Sequence, residues 1–345
     1  MILFLLLIIC IIGIYNIKFG YDANYISHNR TISVNGLFIL IVFLSHARSY
    51  ISIEGNAGQI YNLFFTLIGQ MMVVPFLFYS GYGLMTQFLK YRKKYALNFV
   101  ENRVIKIWMH FILAVSLYII LNIILNNSFT VKEIFYAFIG WESLGNSNWY
   151  IFDIIVLYLL FYVAMIFGIL NKTNNIKSTV ITIWVLTACF WVFLFFTKER
   201  FWYDTLFAFP CGVTFAFFKD HINKRLIIFK NWIICIVLTF VGFVLLYSIR
   251  NAVCISISSV LFALILVLIT MRIKFDNAAL RFFGTYLFEI YVLQRIPMIV
   301  ISEKYVLDPV KFNIISFIIT ILLAIFFKKA IDCLDSFLFK SKKVQ

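Results

Sequence analysis

Charge is what this 345-residue chain has least of: 13% Asp, Glu, Lys and Arg, where soluble domains carry about 25%. With 63% hydrophobic residues, no arrangement in water could cover such a chain with polar surface. It must use lipid as its solvent. It also lacks the period-two alternation of a membrane β-barrel. Its apolar runs are continuous for roughly 20 residues, the length of a transmembrane helix. In lipid every backbone polar group must be paired within the protein, which leaves helices as the building element. There are only four prolines to interrupt them. The six cysteines (Cys10, Cys189, Cys211, Cys235, Cys254, Cys333) form no C-x-x-C pair, so neither a zinc site nor a redox pair is indicated. The opening MILFLLLIICIIGIYNI has no basic n-region and no small-residue cleavage site, so it reads as a retained first span and not a signal peptide. The net charge of +15 would suggest nucleic acid if it were clustered, but its distribution points to a membrane instead.

Spans are expected near 2–18, 35–53, 60–86, 104–125, 149–170, 178–196, 202–218, 226–247, 252–271, 282–302 and 312–331. The fold class is therefore an all-α polytopic membrane protein of about ten to eleven helices in one bundle. Placing the Lys-rich end (Lys340, Lys342, Lys343) in the cytoplasm puts the N-terminus outside. Of the 30 Lys and Arg residues, 22 then fall on the cytoplasmic side and seven outside, with Arg295 left in a span. That asymmetry follows the positive-inside rule, and a missed helix would scramble it. The expected organisation is an additional N-terminal helix over 1–20, a membrane domain over 30–331 and a basic cytoplasmic tail over 332–345. The longest outer segment, Asn126 to Asn148, has room for a re-entrant or interfacial piece.

In such a chain the informative residues are the polar ones that lipid should exclude. A charge at the bilayer centre costs about 2.5–3.5 kcal/mol on insertion scales and usually marks a functional interior. The run NGLFILIVFLSHAR places His46 eleven residues after Asn35, roughly 16 Å along a helix. Eleven steps of 100° return nearly to the starting face, so Asn35, Ile39, Val42 and His46 align. A neutral imidazole has one donor and one acceptor nitrogen and titrates near neutrality, which suits a general base; a hydrogen-bonded packing histidine is the plainer alternative. FEIYVLQRIPM carries Glu289, Tyr291, Gln294 and Arg295. Tyr291, Gln294 and Arg295 share a face, whereas Glu289 and Arg295 cannot pair within the helix, so each needs a partner from elsewhere. The alternatives are a polar cavity and a structural ion pair.

PFLFYSGYGLM offers Pro75 as a kink and Ser80, Gly81 and Gly83 as a place where a ligand, or a neighbouring helix, approaches the backbone. Arg103 opens an apolar helix beside Lys90, Arg92, Lys93, Lys94 and Lys106; such a run serves anionic lipid or the phosphates of a cytoplasmic substrate. NWYIFD and FWYDTLF supply Trp149, Tyr150, Asp153, Trp202, Tyr203 and Asp204. Their aromatics read as interface anchors and Asp204 as a helix cap, whereas Asp153 lies four residues into its span. His28, His110 and His221 are assigned no role.

Taken in order, these elements resemble the acyltransferase type 3 family of integral membrane acyltransferases, over about Arg30 to Lys328. The resemblance rests on the apolar run ending in His46, on FLFYSGYG, on Arg103 opening a helix, on Trp149-Tyr150 and on Glu289-Ile290-Tyr291. The chain departs from the family's pattern in having Asn35 where arginine is usual, and Gln294 where histidine is frequent. With its N-G, W-Y-D-T and Y-x-L-Q-R-I-P elements it looks like a subgroup.

The resemblance implies transfer of an acyl group, typically acetyl, from acyl-CoA as co-substrate to a hydroxyl of a cell-surface or exported glycan or lipid-linked sugar, with no bound cofactor or metal. It implies a multi-pass protein of the cytoplasmic membrane, surrounded by lipid and bacterial in character. His46 would be the base, and Tyr291, Gln294, Arg295 and Glu289 would complete the catalytic set. Asn35, Ser80, Gly81, Tyr82, Arg103 and the two aromatic helix starts would contact substrate. A polar path from Asn35 toward His46 would join the two sides. A transporter or flippase would also need embedded charges, but no internal repeat supports one. A glycan polymerase would need an arginine-rich outer loop, and none is present.

Overall fold

The computed structural model describes residues 20–170, 176–274 and 276–339. Among the described residues it is helical with no strand, as the lipid argument requires. We number the helices α1 His28–Ala47, α2 Gly55–Ile68, α3 Val74–Leu97, α4 Lys106–Ile124, α5 Val131–Phe138, α6 Trp149–Leu170, α7 Ile176–Thr197, α8 Ala208–Leu226, α9 Phe229–Ile249, α10 Ala252–Thr270, α11 Ala278–Thr285, α12 Leu287–Leu293, α13 Arg295–Lys304 and α14 Pro309–Leu338.

Eight helices are long and apolar enough to cross a membrane among the described residues, or nine with α11 and the α12–α13 segment taken as one span bent by 61°. Of the eleven expected, 2–18 lies outside the described residues. Over the span expected at 202–218 the structure has α8, which is not among those eight helices: it is displaced to 208–226 and its last two turns carry Lys219, Asp220, Lys224 and Arg225. The expected tail from 332 is helix as far as Leu338.

Contacts between loops sort the connections into two ends. At one, Asp22 N donates to Met271 O at 3.0 Å, Tyr25 Oη to Asn223 Oδ1 at 2.8 Å and Arg30 to Asp276 at 2.8 Å. This is the end that the Lys and Arg tally assigns to the cytoplasm, and we call it the basic end. At the other, Lys198 donates to Trp141 O at 2.8 Å, Arg200 to Arg250 O at 2.8 Å and Tyr247 Oη to Leu67 O at 2.8 Å.

Two reciprocal glycine contacts set the helix spacing. A Cβ on Gly36 would lie 1.9 Å from Leu280 O, and one on Gly284 2.0 Å from Ile32 O, where α1 meets α11. A Cβ on Gly81 would lie 2.1 Å from Phe209 O, and one on Gly212 2.0 Å from Phe78 O, where α3 meets α8. Small residues let backbones touch in lipid, where apolar burial supplies little drive. This explains why α1 starts seven residues before its expected beginning at 35 and runs through Gly36: the glycine is a packing surface and not a helix boundary. Gly81 is likewise spent on α8, which removes it as a ligand contact.

Pro75 does not kink a helix interior. It occupies the first turn of α3, where its missing N–H is no loss. The break lies upstream in the 3-10 turn Gly69–Val73. Between α4 and α6 the outer segment contains the short helix α5, opened by a Thr130–Glu133 capping box. Val131 and Phe135 remain 85% and 62% exposed. The segment turns back along α4, where the Trp108 indole donates to Phe138 O at 2.9 Å. It then delivers residues 143–148 onto the end of α1.

Candidate active site

The last turn of α1 carries His46 into a cavity of about 370 Å³ at the end opposite the basic one. Besides Phe201 of the 3-10 turn Arg200–Trp202, three further elements line it. The 3-10 turn before α3 brings Gln70, Met72 and Val73. The polar stretch before α6 brings Ser143, Asn146, Ser147, Asn148 and Trp149. The junction of α12 and α13 brings Tyr291 and Arg295.

That junction follows from sequence. Pro297 has no N–H to offer the carbonyl one turn back, so a helical hydrogen bond is missing there, while the Gln294 backbone stays helical (φ −57°, ψ −28°). The Gln294 amide donates to Tyr291 O at 3.1 Å, and the Tyr118 hydroxyl to Val292 O at 3.0 Å. Arg295, one residue on, lines the cavity.

Ser147 Oγ lies 3.4 Å from His46 Nδ1, and the Tyr291 ring is centred 6.2 Å from the imidazole. Tyr150 packs behind Tyr291 at 5.3 Å. Around this group hydrogen-bonding capacity is left unused. Tyr291 Oη, Arg295 Nε and Asn146 Nδ2 are buried without a partner. Buried polar groups are normally paired, and an orphaned donor costs about 1–3 kcal/mol. Several of them around one cavity form a site shaped for a polar ligand. Asp153, one turn into α6 and 1% exposed, also has an unpartnered oxygen.

Of the expected catalytic residues, His46, Tyr291 and Arg295 meet at this cavity. Glu289 does not: it pairs with Lys328 of α14 at 3.3 Å, the structural ion pair that sequence left as an alternative. Gln294 is fully buried, with its amide spent on Tyr291 O. Asn35 lies mid-helix, its oxygen buried and unpartnered, and Ile39 between it and His46 is packed in the core. The side chains of α1 therefore build no polar route between the two. Arg30, nearby in sequence, is held by Asp276 at 2.8 Å and Asp22 at 3.3 Å.

Ser80 and Tyr82 do not line the cavity; the Tyr82 ring lies against Phe215 at 6.3 Å and beneath Lys219 at 5.8 Å. Trp149 lines the cavity, as does Phe201. Trp202 lies behind, 5.9 Å from Trp141, with the Lys198 ammonium 4.3 Å from its ring. Tyr203 packs on Trp191 at 5.5 Å. Asp204 does not cap α8, whose cap position is Phe207. It pairs with Arg200 at 3.5 Å. Burial pushes its carboxyl up to about 6, with Arg200 pulling partly back.

Arg103 lines a second cavity, of about 480 Å³, at the turn from α3 into α4. Tyr95, Lys94 and Lys106 share its wall.

Sequence reasoning missed Asn146, Ser147, Arg48 and Gln70 as cavity residues. The available signal was the run Ser143-Leu144-Gly145-Asn146-Ser147-Asn148, a stretch of small polar residues directly before an aromatic helix start. No curated protein and no solved structure matches the chain. A family model described as an acyltransferase domain matches residues 33–329. That range includes both cavities and every residue that lines them, and the chain belongs to the acyltransferase type 3 family of integral membrane acyltransferases.

Proposed function

We propose that this membrane acyltransferase moves an acyl group, acetyl in the first instance, from acyl-CoA to a hydroxyl of a cell-surface or exported glycan, in the plasma membrane, with His46 as general base. The observation that carries this reading is the meeting of His46 with Tyr291 and Arg295 at one polar cavity. A sugar hydroxyl is a poor nucleophile near neutral pH and needs a base within hydrogen-bond reach. Attack on a thioester gives an oxyanion, which needs donors that are not already committed. Arg295 Nε and Tyr291 Oη are such donors. Trp149 and Phe201 in the wall offer apolar faces to a sugar ring.

The Arg103 cavity suits the phosphates of CoA. Arginine binds phosphate through a planar fork, and Lys94 and Lys106 add positive charge beside it. Lys106 is itself anchored by Asp335 at 2.6 Å. Donor would then enter from the basic end and acceptor from the opposite end, with lipid around the bundle.

The test is transfer of labelled acetyl from acetyl-CoA to endogenous glycan in membranes, comparing wild type with His46→Ala at matched expression. Label in glycan with wild type alone is the expected result. Full transfer by folded His46→Ala would overturn the assignment of the base. Transfer from longer acyl-CoAs in place of acetyl-CoA would correct the donor.

A further inference from the structure

We propose that Ser147 is the first acyl acceptor, a relay that takes the acyl group from the thioester as an oxyester and passes it to the glycan hydroxyl. The relay rests on the acyl-CoA-to-glycan reading above and specifies how that transfer is divided.

The geometry points to this one hydroxyl. Four serines line the cavity. Ser143 is committed, donating to Asn146 O at 2.6 Å and accepting from Gly145 N at 3.1 Å. Ser45 and Ser49 make no bond to the imidazole. Ser147 alone among the described residues sets its Oγ against His46 Nδ1, at 3.4 Å. A nucleophile–base pair need only lie within or slightly beyond hydrogen-bond distance before substrate arrives.

The stretch is also fixed before the reaction. Leu144 N donates to Asn146 Oδ1 at 2.9 Å, Asn122 to Leu144 O at 2.9 Å and Asn148 to Gly140 O at 2.8 Å. Gly145 takes a φ of +99°, a conformation that glycine adopts readily, and turns the following residues inward. The 22-residue helix α6 begins two residues after Ser147, so its partly positive N-terminal end lies close to that hydroxyl's stretch of chain. Arg295 and Tyr291 add uncommitted donors.

Cavity size favours division of the reaction. About 370 Å³ is near the lower bound for sites that enclose a drug-sized ligand, about 300 Å³. The acyl end of the donor and the sugar acceptor would occupy it more readily in turn than together.

In the first step His46 Nδ1 takes the Ser147 proton and Oγ attacks the thioester carbonyl. The oxyanion collapses, the C–S bond breaks, and CoA leaves as the thiol with the proton returned by His46. In the second step His46 takes the proton of the glycan hydroxyl, whose oxygen attacks the seryl ester. The C–O bond to Ser147 breaks and the proton returns to Oγ. The sum is acyl-CoA plus alcohol giving ester plus CoA thiol, with no other reactant.

The experiment incubates purified full-length protein with labelled acetyl-CoA and no glycan, then maps the label by peptide mass spectrometry. The expected result is up to one acetyl group per chain on the peptide containing Ser147, released as labelled glycan when acceptor is added. Ser147→Ala, with its melting temperature measured alongside, is expected to carry no label and to lose transfer by about 100-fold or more. Ser147→Cys is expected to carry the acetyl as a thioester, which neutral hydroxylamine cleaves. Labelled glycan formed by wild type without any labelled protein would overturn the relay alone, as would full transfer by Ser147→Ala. Absence of both labelled protein and labelled glycan would overturn the transfer reading and the relay with it.

Discussion

The two ends of this bundle treat ionisable residues in opposite ways. At the basic end several of the buried charges are paired. Arg30 and Arg281 share Asp276, Lys106 and His110 share Asp335 at 2.6 and 2.9 Å, and Lys328 meets Glu289 at 3.3 Å. At the opposite end Arg295 lines a cavity that offers it no carboxylate, and its Nε is buried without a partner. His46 there has only a serine at 3.4 Å. An embedded charge is costly in lipid. Where a partner offsets that cost, the pair fixes how helices dock. Where nothing in the fold offsets it, the group remains available to a substrate.

The largest expected effect of breaking this contrast is at Arg295. Arg295→Gln should lower transfer by about 10²–10³-fold, the range for loss of one oxyanion donor, with little change in melting temperature. A variant that unfolds while retaining activity per folded molecule would place Arg295 with the structural charges.

Glu289→Gln should do the reverse. It leaves Lys328 without its partner and should destabilise by roughly 1–3 kcal/mol, below the 3–5 kcal/mol of a fully buried pair because Lys328 is 32% exposed. Transfer by the molecules that remain folded should be preserved. Replacing both residues by Met should recover stability, and denaturation in detergent measures this.

A loss of similar size, about 1–3 kcal/mol from forced backbone movement, is expected for Gly81→Ala, whose Cβ would meet Phe209 O. It should leave the ratio of activity to folded protein unchanged.

The smallest effect concerns Asp204, at the loop before α8. Burial raises its carboxyl from an ordinary 3.8 to about 6. Between those values the folded protein binds the proton more tightly than the unfolded chain. Stability should therefore fall as pH rises from about 4 to about 6. Asp204→Asn should flatten that slope in melting curves taken across this range.

The fold was legible because lipid leaves few choices. Apolar runs of about 20 residues must be helices, and the spans over 149–170 and 252–271 fall within a residue of α6 and α10. Boundaries failed where packing overrode local signals. Gly36 looks like a helix start until Gly284 from α11 is seen against the backbone of α1. His46, Tyr291 and Arg295 were legible as polar residues in apolar runs. Glu289 carried the same mark but has its partner 39 positions away on α14, a contact that no local spacing reveals. Ser147 was illegible for the opposite cause. It lies in a stretch already polar, where one more serine attracts no notice, and its importance comes from the 101 positions of chain that bring it back to His46.

The most direct test sets the two membrane-embedded histidines against each other: His46, beside the unpartnered donors, and His110, paired with Asp335. His46→Ala and His110→Ala are purified in detergent, and acetyl transfer from acetyl-CoA and melting temperature are measured on each. The account predicts that His46→Ala loses transfer by about 10²–10⁴-fold, the contribution of a general base, at an unchanged melting temperature. It predicts that His110→Ala melts lower and still transfers. Transfer surviving in His46→Ala, or lost equally in two equally folded variants, would contradict it.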